Sequence, residues 1–185
     1  MIQLLARWLI PDRENVTSPA VRRAYGTLCG VVGIALNILL FAGKFFAGQL
    51  SGSIAVTADA FNNLSDAGSS VVTLLGFRIA AKAPDPGHPF GHGRAEYLSG
   101  LAVSMLILLM GVELAKSSFD KILHPEEVAF SALALGILAA SVCVKLYMWL
   151  YNRRIGRRIK SAAMEATAMD SLSDTAATAA VLLAM

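Results

Sequence analysis

Residues 57–70 read TADAFNNLSDAGSS, a polar stretch inside an otherwise apolar run. The stretch carries Asp59, Asn62, Asn63 and Asp66. Asn62 and Asp66 are four apart, so on a helix they share a face, one turn above the other. Residues 169–177, MDSLSDTAA, repeat the device, with Asp170 and Asp174 four apart. Shifting the first stretch by 108 positions (66 to 174) lays Ala58, Ala60, Leu64, Ser65, Asp66, Leu74 and Leu75 on Ala166, Ala168, Leu172, Ser173, Asp174, Leu182 and Leu183. Two apolar helices therefore each carry a polar pair at the same depth. The four side chains Asn62, Asp66, Asp170 and Asp174 read as one oxygen-rich cation site.

The rest of the chain reads as the housing of that site. Its 185 residues are 56% hydrophobic, and the mean hydropathy is +0.60. The apolar residues come in long blocks, which marks an integral membrane protein. The formal charge of +3 is no nucleic-acid signal, because the basic residues form no single stripe but gather at the ends of apolar blocks. Cys29 and Cys143 lie in separate apolar segments without CxxC spacing and read as helix-packing residues. The N-terminal MIQLLARWLIPDREN is interrupted by Arg7 and Pro11, and no cleavage-site pattern follows. It reads as a short amphipathic segment on the cytoplasmic surface.

Five segments are long enough to cross a hydrocarbon core of about 30 Å, which takes about 20 residues. They lie at about 25–49, 53–81, 95–122, 128–151 and 161–185, after a cytoplasmic N-terminal segment at 1–24. The fold class is all-α, a polytopic transmembrane helix bundle. The second and fifth segments are the least hydrophobic, carry the polar pairs, and are rich in Ala, Gly, Ser and Thr. Small residues let helix backbones approach closely, so both segments belong inside the bundle. Arg7, Arg13, Arg22, Arg23, Arg78, Lys82, Arg94, Arg153, Arg154, Arg157, Arg158 and Lys160 fall on one side of the membrane in this arrangement, against Lys116 and Lys121 on the other. That excess, twelve to two, predicts a cytoplasmic N-terminus; the expected location of this multi-pass protein is the cell (inner) membrane. Pro84, Pro86, Gly87 and Pro89 end the second helix, and Pro125 with Glu126 and Glu127 separates the third from the fourth. The sequence stops at LLAM without a loop or polar cap, which reads as a truncation.

An ionisable group in the middle of a membrane marks function by default, because insertion there costs at least about 2.5–3.5 kcal/mol. The ordinary reading of such acids is pairing with Lys44 or Lys145, or hydrogen bonding between helices. Three Asp residues in two matching pairs call for a common cause. Asn62 offers a carbonyl oxygen and the three Asp offer carboxylates, a donor set that suits Mg²⁺, Ca²⁺ or Mn²⁺. No His or Cys stands at these positions, which puts Mn²⁺ first and Fe²⁺ next, although carboxylates also bind Zn²⁺. Three clustered carboxylates cannot all stay ionised without a cation. Metal and protons compete for the same oxygens, a physical basis for exchanging one for the other.

At these residues the chain resembles the cation diffusion facilitator family, over nearly its whole length. The resemblance rests on the paired four-residue spacings and on residues 84–96, PDPGHPFGHGRAE, which fit the family's His-x-Phe-Gly-His-Gly-Lys/Arg-x-Glu run. It implies a homodimeric metal/proton antiporter with six transmembrane helices and a small cytoplasmic C-terminal domain. Five of those helices are accounted for here. By resemblance Asn62 and Asp66 are the ligands of the second helix, and Asp170 and Asp174 those of the fifth. Zinc-transporting members usually have His at the position of Asp170 or at the first position in the second helix. The Asn/Asp and Asp/Asp pattern resembles the manganese-exporting branch. The residues leave open a Zn²⁺ or Fe²⁺ exporter of the same family, or a membrane metal sensor that does not transport.

Asp85, His88 and His92 form a second candidate metal site in the link between helices two and three, where matching residues of some zinc-transporting relatives bind metal. That donor set favours Zn²⁺ over Mn²⁺. The alternative is that His88, Phe90, Gly91 and His92 shape a tight turn. His124 reads as a loop residue, Asp59 as an ion guide or an outer polar contact, and Asn37 and Lys44 as interhelical contacts on one face. An intramembrane aspartyl protease is excluded because neither Tyr-Asp nor Gly-x-Gly-Asp occurs. A channel is disfavoured because tight carboxylate coordination slows release. The sequence thus points to a transporter without an enzymatic cofactor, whose partners are a divalent cation, protons and the bilayer.

Overall fold

The computed structural model describes residues 2–11, 14–51, 54–123 and 132–184. Six helices follow one another: α1 (Ile2–Leu9), α2 (Pro19–Ser51), α3 (Ile54–Ala80), α4 (Arg94–Leu123), α5 (Ala132–Ile159) and α6 (Ala162–Ala184). The expected segments correspond to α2 through α6. The reading of His124, and of Pro125, Glu126 and Glu127 as a boundary, lies outside the described residues.

Two boundaries differ from the sequence reading for one reason. Helix α2 begins at Pro19 rather than Tyr25, and α5 runs to Ile159 rather than Tyr151. The arginines there mark the edge of the membrane, but a helix satisfies its own backbone and continues past that edge. Proline suits the first helical position, where its missing N–H has no partner to lose, and the Ser18 carbonyl accepts from the Arg22 N–H at 3.0 Å.

Among the described residues, α2, α4 and α5 contain spans apolar and long enough to cross a membrane: Pro19–Leu50, Arg94–Glu113 and Leu135–Ile159. Helices α3 and α6 are 27 and 23 residues long, or about 40 and 34 Å at 1.5 Å per residue. Length is sufficient in both, and polarity sets them apart. The bundle hides this polarity. Asn37, Lys44, Asn63, Asp66, Ser70, Thr73, Ser141, Lys145, Thr167, Asp170, Ser171 and Asp174 are buried. Leu39, Phe46, Leu50, Leu101, Leu108, Leu109 and Val112 face outward. A polar interior under an apolar surface inverts the soluble arrangement, and identifies an integral membrane protein.

Close packing comes from small residues. A methyl group added at Gly30 would stand 3.1 Å from Leu74 Cβ, and one at Gly33 would stand 3.0 Å from Ser70 Oγ. Both distances are tighter than ordinary contact, so a small residue at each position favours this approach of α2 to α3. Helices α5 and α6 form a hairpin through Lys160, which adopts φ 52°. The Ser161 N–H donates to the Gly156 carbonyl at 2.9 Å, closing α5 in a Schellman motif. Ser161 Oγ then accepts from the Met164 N–H at 3.3 Å and caps α6. The predicted amphipathic N-terminal segment is α1. Its Ile2, Ala6 and Ile10 pack on Tyr25, Met148, Tyr151 and Ile155, while Leu4 and Trp8 remain exposed. Cys29 is buried, Cys143 is exposed, and both are free thiols.

Candidate metal centre

Helix α3 lies against α6, and the two run antiparallel. Thr73 and Thr167 share a hydrogen bond of 3.0 Å at one level, while Asn62 Nδ2 donates to Asp174 Oδ1 at 3.3 Å further along. Beside the second of these levels the structure brings Asp66, Asp170 and Asp174 together. Each supplies one carboxylate oxygen, those oxygens lie within 4.8 Å of one another, and all three residues are buried. The four-residue spacing therefore puts each pair on the inner face of its helix. A cleft of about 420 Å³ adjoins Asp170 and Asp174 between α6 and the apolar Ile107, Leu108 and Met110 of α4.

A fourth charged group enters from α5. Lys145 is 2% exposed. Its Nζ donates to Asp66 Oδ2 at 2.5 Å and to Asp174 Oδ2 at 2.7 Å. The pairing considered as the ordinary alternative is thus present, and it coexists with the carboxylate cluster. With the three carboxylates ionised, one ammonium balances one of three negative charges. Asp66 Oδ1 is buried without a hydrogen-bond partner among the described residues. An ion or a water at this oxygen would satisfy it. The signal for Lys145 was legible as a single lysine in the apolar run of residues 132–151, but its target depends on how α5 packs.

The second lysine named from sequence goes elsewhere. Lys44 of α2 is 2.8 Å from Asp59 Oδ2, about two turns from Asp66 along α3. The rings of Phe41, Phe45 and Phe61 cluster at neighbouring positions, with centroids 5.6–6.1 Å apart. Asp59 thus takes part in an interhelical ion pair outside the carboxylate cluster. Asn37 is buried, with its Oδ1 unpartnered among the described residues.

Asp85, His88 and His92 meet in the link between α3 and α4. His88 Nδ1 is 3.2 Å and His92 Nε2 is 3.4 Å from the Asp85 carboxylate, and the two imidazoles stack with centroids 4.3 Å apart. The turn reading holds for the same residues. The His88 N–H donates to Asp85 Oδ1 at 2.7 Å, and Gly91 at φ 78° reverses the chain. Desolvation pushes the Asp85 carboxyl up, but the His88 hydrogen bonds and the neighbouring imidazoles together outweigh it and hold it below its usual value.

The last residue of the same motif braces the bundle. Arg22 Nη2 donates to Glu96 Oε1 at 3.0 Å and Oε2 at 2.8 Å. Its Nη1 donates to the Ile159 carbonyl at the end of α5. Glu96 sits in the first turn of α4, where a helix favours negative charge. One arginine thus joins α2, α4 and α5 on the face that carries most of the basic residues. Arg158 and Glu14 approach to 3.3 Å on that face.

Residues 30–185 match the family described as the cation efflux transmembrane domain. The manganese efflux system protein MneS of Bacillus subtilis is 35% identical over 144 residues, covering 78% of this chain and 50% of MneS. MneP, a manganese efflux system protein of the same organism, is 30% identical over 154 residues, covering 83% of this chain and 51% of MneP. The cation-efflux pump FieF of Escherichia coli is 28% identical over 168 residues, covering 89% of this chain and 56% of FieF. The chain spans about half the length of the curated relatives it matches. With its matching polar pairs, its His-x-Phe-Gly-His-Gly-Arg-x-Glu link and its polar-cored helix bundle, the chain belongs to the cation efflux family of membrane transporters, the cation diffusion facilitators, and is not an enzyme.

Proposed function

We propose that this chain is the membrane core of a divalent-cation exporter that exchanges metal for protons, with Mn²⁺ as the preferred cargo. The observation that carries this reading is the cluster of Asp66, Asp170 and Asp174, with oxygens within 4.8 Å of one another and the Asn62 amide at its edge. Oxygen donors alone suit Mn²⁺ first and Fe²⁺ next, with Zn²⁺ the alternative cargo. The relatives named for manganese efflux support that order. Carboxylates that release protons to take metal, and metal to take protons, couple the two flows. A site buried midway along two helices of an internal repeat is the geometry that alternating access uses.

The N-terminus and both basic links are assigned to the cytoplasm by their arginines and lysines, in the inner membrane. The working unit is a homodimer of the full-length protein, as the family resemblance implies. Asp85, His88 and His92 offer an accessory cytoplasmic site for a softer ion such as Zn²⁺.

The test replaces Asp170 by His in the full-length protein. Uptake of Mn²⁺ and of Zn²⁺ is measured in inside-out vesicles with an imposed proton gradient. Imidazole at this corner should lower the Mn²⁺ to Zn²⁺ rate ratio, by about tenfold for each 1.4 kcal/mol of altered preference. An unchanged ratio would remove the manganese assignment.

A further inference from the structure

Among the described residues, Lys145 is the one charged side chain in the carboxylate cluster that the oxygen-ligand reading does not use. It enters from α5, a helix that supplies none of the three acids. Its ammonium contacts Oδ2 of Asp66 at 2.5 Å and Oδ2 of Asp174 at 2.7 Å. These carboxylates come from different helices, so the lysine bridges α3 and α6 through the groups that would hold the cargo. The lysine is buried. Lys44, the other lysine buried among the described residues, pairs with Asp59.

We propose that Lys145 is a built-in competitor of the transported cation, a positioning residue that keeps the site weak enough to release its cargo. The inference rests on Asp66, Asp170 and Asp174 being the cargo ligands. A divalent ion bound by these carboxylates must draw oxygen density away from the ammonium, and it meets a like charge within contact distance of the same groups. Oxygens held by the lysine are open to the ion only for a fraction of the time, and apparent affinity falls by that fraction. A transporter benefits from this penalty, because an ion held too tightly does not leave. Lys145 is anchored to the chain, so it returns to the oxygens when the ion departs.

The experiment measures Mn²⁺ binding to the purified full-length protein by calorimetry at fixed pH and ionic strength. His88→Ala and His92→Ala form the background, so that the cytoplasmic link does not contribute. Lys145→Gln keeps N–H donors for the carboxylates but removes the charge. It should bind Mn²⁺ at least about tenfold more tightly, and in vesicles both KM and kcat should fall, because release becomes slow. Lys145→Arg keeps the charge on a more rigid, bidentate head group, and should bind Mn²⁺ no more tightly than the parent. A merely structural lysine gives the opposite pattern, with weaker or unchanged binding for Gln. Unchanged or weaker binding by a folded Lys145→Gln variant overturns the proposal. If that variant does not fold, Lys145→Arg decides, and tighter binding than the parent overturns it. Asp66→Asn and Asp174→Asn separate the two ideas. If both retain parental Mn²⁺ affinity, the carboxylate site itself is wrong, whatever Lys145 does.

Discussion

Removing Arg22 should loosen three helices at once. In Arg22→Ala, Glu96 loses two charge-assisted hydrogen bonds, at 2.8 and 3.0 Å, and the Ile159 carbonyl at the end of α5 loses its donor. Breaking a fully buried ion pair costs about 3–5 kcal/mol, because the remaining charge is stranded. An exposed pair is worth about 0.2–1 kcal/mol. The Glu96 side chain is 10% exposed, but that of Arg22 is 28% exposed, so water reaches one end of the pair. The expected loss is therefore intermediate, about 2–3 kcal/mol, of which the carbonyl bond contributes about 1 kcal/mol. Arg22→Lys keeps the charge but not the fork and should lose about 1 kcal/mol. The assay is reversible unfolding in mixed micelles titrated with SDS, run as a double-mutant cycle with Glu96→Gln. The cycle should return a coupling of at least about 1 kcal/mol. Additive losses would show that the two side chains act separately, and the account of Glu96 as the far end of a clamp would be refuted.

Two further expectations concern the link between α3 and α4. The lowered Asp85 carboxyl is a folded-state property, so the stability it adds is present above its ordinary value of 3.8 and is lost as pH falls through the lower folded value. Hydrogen exchange at the His88 amide, corrected for intrinsic rate, should therefore stay protected down to pH 3.8. Asp85→Asn should lose that protection at neutral pH. The same link is assigned to the cytoplasm, so a cysteine introduced at Gly87 should resist a membrane-impermeant reagent applied to intact cells, and labelling there would invert the topology.

Much of this architecture was legible because membrane helices repeat simple rules. The four-residue spacing of Asn62 with Asp66, and of Asp170 with Asp174, fixed which helix faces turn inward, and the structure puts those faces together. The basic residues separated the two ends of the bundle, since Arg22, Glu96 and Ile159 meet on one face. Charge did not reveal where helices end. Residues 152–159 continue α5 past the expected boundary, because backbone hydrogen bonding outlasts the apolar pattern. Nor did charge reveal where each lysine goes. Lys44 and Lys145 look alike in the sequence, each alone among apolar neighbours, but one meets Asp59 and the other bridges two acids. That difference is tertiary. It depends on α2 lying beside the first turns of α3, and on α5 facing the groove between α3 and α6.

The reversal at Lys160 and Ser161 has a consequence for how this protein tolerates change. Surface turns usually accept extra residues, because nothing downstream depends on their length. Here α5 and α6 leave the turn as two rulers laid edge to edge. Lys145 is marked about 22 Å back along one, and Asp174 about 20 Å forward along the other. Their graduations coincide at the 2.7 Å contact. One residue inserted within the first turn of α6, just after Ala162, would slide the rest of the second ruler by about 1.5 Å and roll it by about 100° relative to the turn, moving Asp170 and Asp174 out of alignment together. The start of α6, where Ser161 and Ala163 are buried, is therefore intolerant of a length change, as the buried acids are of substitution.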